Sequence, residues 1–496
     1  MKHRDGAGPW VLAFFLCFFF LFSSGRIASQ DAGQQLQVSV LLATSGGLGR
    51  DGTDTGPADA SWVRAPNGRF YQAHDIGNIV LMLPAAWIGA RLSAAADADD
   101  ILNPPALSRA GASLACAAIA ALGCFWMFRL FSLFWPVRTA FLLALAFPST
   151  TIFMAYSRAA WDVLGGCCFM CGVLYYSARL LRGERIDAGA LMLAATTALA
   201  CSFRFSLAPF VVPAAGAVLV VTRQRLPRRL VVSSACLFGA AILPSLAYNF
   251  VRTGSPIRPA TASAQYLDGV NALTGSMLHG LYGLFLSPNR GVFLFSPILL
   301  LSVVALIRWR RLDRELRQLL AIHGAGAAGY VLLISKMANW GAFGWGPRYL
   351  LPVLPLMFVA AACGLMAVWR SGRPAVLALT VLSALLTVPP AVVNWHLATT
   401  SFAGAADPDA ATPAQQRAAW SALVLGVQGQ ALPVPPNASA DALRATTSEF
   451  PDLFLWRVAG LSTSGMLATV IAAIGAIGVV TMAARNLLSD VRGAEL

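Results

Sequence analysis

Asp31, the pair His74–Asp75, Arg158 with Asp162, Arg290 and Arg348 are the residues whose types and places invite chemistry. Each stands at the edge of an apolar run, where charge is costly unless it has a partner or a task. A carboxylate in such a place can take a proton or orient a hydroxyl. An arginine can hold phosphate through its planar fork.

Asp31 lies just beyond the first apolar run, and after it Leu36, Val40 and Leu41 recur at helical spacing. That predicts an amphipathic helix on the membrane surface, ended by Gly46–Gly47. Asp31 is then either a general base (or acceptor-orienting carboxylate) or the N-cap of that helix, and the residues alone leave both open. His74 and Asp75 sit where the next apolar segment begins. They can move a proton or bind a phosphate, or simply close a helix start. In "AYSRAAWDVLGG", Arg158 and Asp162 stand four apart and can pair on one helix face, whether for structure or for function. "SPNRG" (287–291) is a polar turn feeding a helix start, and Arg290 adds a charge to backbone N–H groups that favour anions.

The stretch "ISKMANWGAFGWGPRYLLPVLPL" needs explaining at the edge of two apolar runs. Trp340 and Trp345 suit an interfacial belt, but Gly341, Gly344 and Gly346 add close approach or positive φ. Arg348 opens the next helix after Pro347, where it opposes the helix dipole and calls for an anionic partner. Lys336 reads as an interfacial snorkel.

The elements that must position these groups are membrane helices. The chain has 496 residues, 57% hydrophobic and 12% charged, with mean hydropathy +0.66. Apolar runs recur at 9–25, 76–96, 109–131, 138–155, 160–178, 187–203, 205–222, 230–250, 291–307, 318–335, 349–368, 374–393 and 460–484. The net charge of +14 does not mean nucleic acid. The arginines cluster in 179–185, 223–229, 308–317 and 369–374, which the positive-inside rule makes cytoplasmic loops beside anionic headgroups. Thirteen crossings cannot return the chain to its starting side, so one run is not a span, and 76–96 and 138–155 are the suspects. Cys167, Cys168 and Cys171 read as soft packing in a helix. The run after Met1 reads as an uncleaved first helix, no internal repeat is visible, and the Asn437 sequon would mean little if the host is bacterial.

In order along residues 10–370, "QDAGQQLQVSVLLATSGGL", "YQAHDIGNIVLMLPAAWIG", "AYSRAAWDVLG", "SPNRGVFLFSPILLL" and "NWGAFGWGPRYLLPVLPL" resemble the GT-C membrane glycosyltransferases. That superfamily includes the protein mannosyltransferases and the lipid A aminoarabinose transferase. The last two pieces are similar to a bacterial subgroup. The resemblance implies an all-α polytopic membrane protein of about 11–13 transmembrane helices. It would comprise a module over 1–393 with external loops 26–75, 251–290 and 336–348, a loosely packed external loop 394–459, and a last helix and cytoplasmic tail over 460–496. It implies sugar transfer from a polyprenyl-phosphate donor to a glycan, lipid or protein hydroxyl at the periplasmic face of the bacterial inner membrane.

By the same resemblance Asp31 matches the presumed base and Asp162 a second acidic position. Arg348, in the Gly-Pro-Arg-Tyr piece with Tyr349, would hold the donor phosphate. Two departures matter. Gln30 and Ala32 flank a single acid where the family often has two, and "AHDIG" replaces a Lys-Pro-Pro motif, so His74 takes the place of a phosphate-contacting lysine. One carboxylate is a poor hard-cation site, so no cofactor is expected and a divalent metal is doubtful. Single displacement predicts inversion, with Arg290 or His74 assisting Arg348 and Trp340, Trp345 or Tyr71 as a sugar platform. The competing readings are a lipid-linked-glycan flippase, which should show inverted repeats, and an O-antigen-ligase-like enzyme.

Overall fold

The computed structural model describes residues 7–27, 29–51, 62–92, 105–262, 273–341, 344–369, 371–395, 398–399, 404–405, 407–430, 450–461 and 463–489. The Asn437 sequon and the chain end after 489 lie outside them.

Among the described residues eight helices are long and apolar enough to cross a membrane. They include α4 (Ala106–Phe131), α6 (Asp162–Arg182), α7 (Ile186–Phe203), α9 (Arg228–Thr253), α12 (Arg314–Ser335) and α14 (Arg373–Val392). The other two combine a 3₁₀ turn with a helix: α8 (Ala208–Thr222) and α13 (Leu354–Val368). Shorter apolar helices run beside them, α1 (Gly8–Phe22), α5 (Val137–Ser149) and α11 (Leu301–Ile307), with the apolar stretch 463–479 of α17 (Thr463–Ser489). The remaining elements are α2 (Gln30–Ser45), α3 (Ile76–Leu92), α10 (Met277–Leu286), α15 (Ala414–Val427) and α16 (Phe454–Leu461). A small sheet of β1 (Gly49–Arg50), β2 (Trp62–Arg64) and β3 (Phe70–Gln72) completes the set.

Helix α6 is the axis of the bundle, buried almost throughout. Its sequence explains why. Asp162 favours the positive N-terminal end, Arg179 and Arg182 the other, and Gly183 at φ 74° ends it. Small residues let neighbours close in. A Cβ at Gly165 would lie 2.0 Å from Phe203, and one at Gly172 would lie 2.9 Å from Thr196.

Of the two suspect runs, 76–96 forms α3, a seventeen-residue apolar helix shorter than the eight candidate spans. Its start meets the end of α7, for a Cβ at Gly77 would lie 2.7 Å from the Phe203 nitrogen. Its other end meets the start of α4, where Gly89 abuts Ser108. The start of α4 is itself beside the end of α1, through Ser23 Oγ and Ser113 Oγ at 3.0 Å. Gly8, at the opposite end of α1, faces Arg129 near the end of α4. The later turns of α3 therefore pack on the start of α4, where Gly111 also abuts Ala85, while its first turn meets the end of α7. Composition reads such a helix much as it reads a span, because packing on α2 and α4 removes its apolar face from water much as lipid would.

The 394–459 segment differs from expectation. It carries a helix, α15, and Gln415 at its start is buried. Asp452 beyond it is tied to Arg26 at 3.4 Å and to Arg158 at 3.1 Å. The described parts of this segment are docked, not loose. The sheet has order β1-β3-β2, all antiparallel, with Tyr71 opposite both Gly49 and Val63. It delivers β3 directly into His74.

Candidate functional site

His74 sits on a strap after β3 that the bundle grips by its backbone. Arg252, 1% exposed near the end of α9, donates to the carbonyls of Gln72, Ala73 and His74 at 2.9, 2.8 and 2.7 Å. The His74 N–H donates to Gln72 Oε1 at 2.7 Å, and Gln72 Nε2 donates to Gln34 Oε1 of α2, also at 2.7 Å. Asp75 completes the bracket. It lies 3.6 Å from Arg252 Nη2 and accepts from the Phe205 N–H at 2.8 Å. The imidazole is thus held while the adjacent carboxylate is spent on the fold.

Helix α2 supplies Asp31. The N-cap is Ser29, whose hydroxyl accepts from the Ala32 N–H at 3.2 Å. That settles the ambiguity of the sequence: Asp31 is not the cap, and its carboxylate turns to other partners. Its Oδ2 lies 3.6 Å from His74 Nε2 and 3.5 Å from Arg348 Nη1.

Asp162 comes from the start of α6. The chain reaches it through Ala160, buried at φ 57°, a left-handed conformation that an L-residue adopts at a cost of roughly 1 kcal/mol or more. Asn78 Nδ2 of α3 donates to the Ala160 carbonyl at 2.9 Å and holds the turn. Asp162 Oδ2 then lies 3.3 Å from His74 Nδ1 and 3.6 Å from Arg204 Nη1. Arg204 sits in the break between α7 and α8, over the Tyr349 ring at 5.0 Å, with Nε donating to Tyr330 Oη at 3.2 Å. Arg348 stacks on Trp161 at 4.4 Å and reaches over Tyr349 at 5.2 Å.

Five charged groups from 31, 74, 162, 204 and 348 therefore meet at one end of the bundle. His74 bridges the two carboxylates, and each carboxylate has an arginine behind it. Burial alone would lower the His74 pKa. The carboxylates of Asp31 and Asp162 outweigh it and push the imidazole up to about 10. With His74 protonated, three cations face two carboxylates, leaving one net positive charge.

Four of them, His74, Asp162, Arg204 and Arg348, border a cavity of about 280 Å³, and Asp31 stands behind His74 and Arg348. His74, Asp75, Asp162, Arg204, Arg348 and Tyr349 line its polar side. Pro209, Pro259, Leu273, Leu333, Ile334 and Met337 form an apolar wall, with Ser206 and Thr261 completing the lining. Such a space suits a ligand with an anionic head and an apolar body.

Because the folded His74 pKa lies above its ordinary 6.5, its proton stabilises the folded state in full below about pH 6.5. That stabilisation is lost as pH rises through about 10. Unfolding followed from pH 6 to 10.5 should show this loss in the wild-type chain and a shallower one in His74→Gln. Parallel curves would contradict the bridge.

The other expected residues lie elsewhere. Arg158 does not pair with Asp162 on a helix face. It donates to the carbonyls of Phe22, Pro390 and Val393 at 2.8, 2.6 and 2.9 Å and contacts Asp452, a tie between the first and last parts of the chain. Arg290 is 1% exposed and donates to the Gly344 carbonyl. Trp345 is fully buried and Trp340 nearly so, Trp340 against Gly283 and His279. Tyr71 accepts from Asn67 Nδ2 at 2.9 Å within the sheet and is buried. None of these five lines the cavity. Lys336 is exposed at the end of α12. Arg204 and Arg252 were not anticipated, yet a signal existed. Each is an arginine at the end of an apolar helix, outside the basic clusters of the loops. Among the described residues no group of three or more His, Cys, Asp or Glu is placed to hold a metal ion.

No protein-family model and no curated protein matches the chain. Solved structures do. ArnT from Cupriavidus metallidurans, determined bound to undecaprenyl phosphate, superposes over 98% of this chain and 77% of its own, with TM-score 0.53 and 16% identity. The oligosaccharyltransferase AglB from Archaeoglobus fulgidus, determined with an inhibitory peptide and a dolichol-phosphate, aligns over 90% of this chain and 59% of its own, with TM-score 0.42 and 12% identity. The protein is a polytopic, predominantly helical membrane protein with the GT-C fold seen in ArnT.

Proposed function

We propose that the chain transfers a sugar from a polyprenyl-phosphate donor to an acceptor hydroxyl at the membrane face that bears the cavity. The observation that supports this most is the convergence of Arg204, Arg348 and the His74 bridge on a cavity with an aliphatic wall. The undecaprenyl phosphate held by ArnT, which shares the fold, is a ligand of this kind.

The charges suit the reaction. A sugar polyprenyl phosphodiester carries one negative charge and meets the one net positive charge of the site. The acceptor oxygen attacks the anomeric carbon while the bond from that carbon to the phosphate oxygen breaks. The bonding pair leaves with the phosphate, which becomes a monoester of charge minus two. The acceptor proton passes to Asp31, whose neutralisation raises the site to plus two. Charge on protein and lipid thus rises in step, with Arg348 and Arg204 set where the negative charge grows. Backside displacement inverts the anomeric carbon. Asp162 acts through His74 and Arg204, holding both toward the cavity.

The phosphate requirement is directly testable. Purified protein in detergent should bind undecaprenyl phosphate at least tenfold more tightly than undecaprenol, an increment of about 1.4 kcal/mol that one charge-assisted hydrogen bond can supply. Equal binding of the alcohol would overturn the phosphate assignment.

A further inference from the structure

The Arg348 side chain is aimed by a turn of its own, 344–347. Gly346 sits there at φ 63°, where only glycine is unstrained, and a Cβ would lie 3.1 Å from Phe295 and 3.2 Å from Ile152. The Arg348 N–H returns to the Gly346 carbonyl at 3.1 Å. What fixes the turn comes from a distant part of the chain. Gln415, at the start of α15 and 1% exposed, accepts from the Gly346 N–H through Oε1 at 2.9 Å and donates from Nε2 to the Gly344 carbonyl. It therefore spans both sides of the turn as a neighbouring strand would. Gln415 is held in turn: its own N–H donates to Asn289 Oδ1 at 2.7 Å, and Asn289 Nδ2 donates to the Asp407 carbonyl. Arg290 Nη1 shares the Gly344 carbonyl. The 287–291 turn is thus a bracket for α15 and the glycine turn, away from the cavity.

We infer that Gln415 is a positioning residue for Arg348, so that the segment after α14 completes the anion site. The inference rests on the donor-phosphate reading above. A glutamine fits the task because one planar group offers an acceptor and a donor about 2.3 Å apart, matching an N–H and a C=O two residues apart. With the clamp gone, Arg348 still stacks on Trp161 but samples the wider range its glycine turn permits.

A double-mutant cycle on undecaprenyl phosphate binding tests this, with folding followed by thermal unfolding in the same detergent. Gln415→Leu should weaken binding about tenfold, the worth of two modest hydrogen bonds. In the Arg348→Ala background the same substitution should change binding less than about twofold, since nothing remains to aim. An equal loss in both backgrounds would make Gln415 a structural residue only and overturn the inference. If Gln415→Leu does not fold, Gln415→Glu replaces it. It keeps the acceptor for Gly346 but sets two oxygens against each other at Gly344, and the same cycle is read. Wild-type protein that binds undecaprenyl phosphate no better than Arg348→Ala would instead defeat the donor assignment on which this rests.

Discussion

Replacing Asp31 by Asn should lower sugar transfer by about 10³-fold, the loss typical of a positioned general base, while undecaprenyl phosphate binding changes little. The carboxylate is one-quarter exposed, and the cap of its helix belongs to Ser29, so the substitution removes no structural hydrogen bond of the α2 start. Its partners include His74 and Arg348, both cations. An amide in place of the carboxylate raises the net charge of the site by one, which favours anion binding. Chemistry and binding should therefore separate: the turnover number collapses and the lipid affinity holds or rises. A parallel fall in both would mean that Asp31 only orients Arg348.

Arg348→Ala is expected to act the other way. It removes the guanidinium that stacks on Trp161 at 4.4 Å and faces the cavity, and it leaves Asp31 with one cation fewer. Loss of one preorganised donor to a developing oxyanion costs about 10²–10³-fold in rate. Because the donor is already anionic, affinity for undecaprenyl phosphate should fall as well, by roughly tenfold or more. Arg348→Lys should recover part of the affinity but less of the rate, since an ammonium supplies the charge without the fork or the stacking plane. Full rate in Arg348→Ala, measured with saturating donor, would reassign the leaving-group role to Arg204.

The helical skeleton was legible because long apolar runs and basic loops state it locally. The run at 76–96 stayed a suspect for a physical reason: a seventeen-residue helix whose apolar face packs on protein reads much like one in lipid. Asp31 was recognisable as a chemical residue, but whether it capped α2 was not, because Ser29 takes the cap only once the helix start is placed. The division of labour between His74 and Asp75 was not readable. Which neighbour turns to Asp162 and which to Arg252 depends on how β3 enters the bundle, not on either residue's type. Trp345 suggested a sugar platform, yet the glycines around it fold it inward against Phe295, at a ring-centre distance of 5.1 Å. The site itself joins residues from 31 to 348, and no local pattern encodes a pairing of that range. Arg204 is the instructive omission, since a lone arginine between two apolar runs is costly without a partner, and its partners Asp162 and Tyr330 are distant in sequence.

The central claim is that the charge cluster cleaves a sugar from polyprenyl phosphate. The most direct measurement follows free polyprenyl phosphate released from a short-chain lipid-linked sugar by purified protein, with a membrane extract as the source of acceptor. The account predicts release that depends on the extract, appears together with sugar on an acceptor, and falls about 10³-fold in Asp31→Asn. Intact donor moved across a vesicle membrane without bond cleavage, or release unchanged in Asp31→Asn, would contradict it.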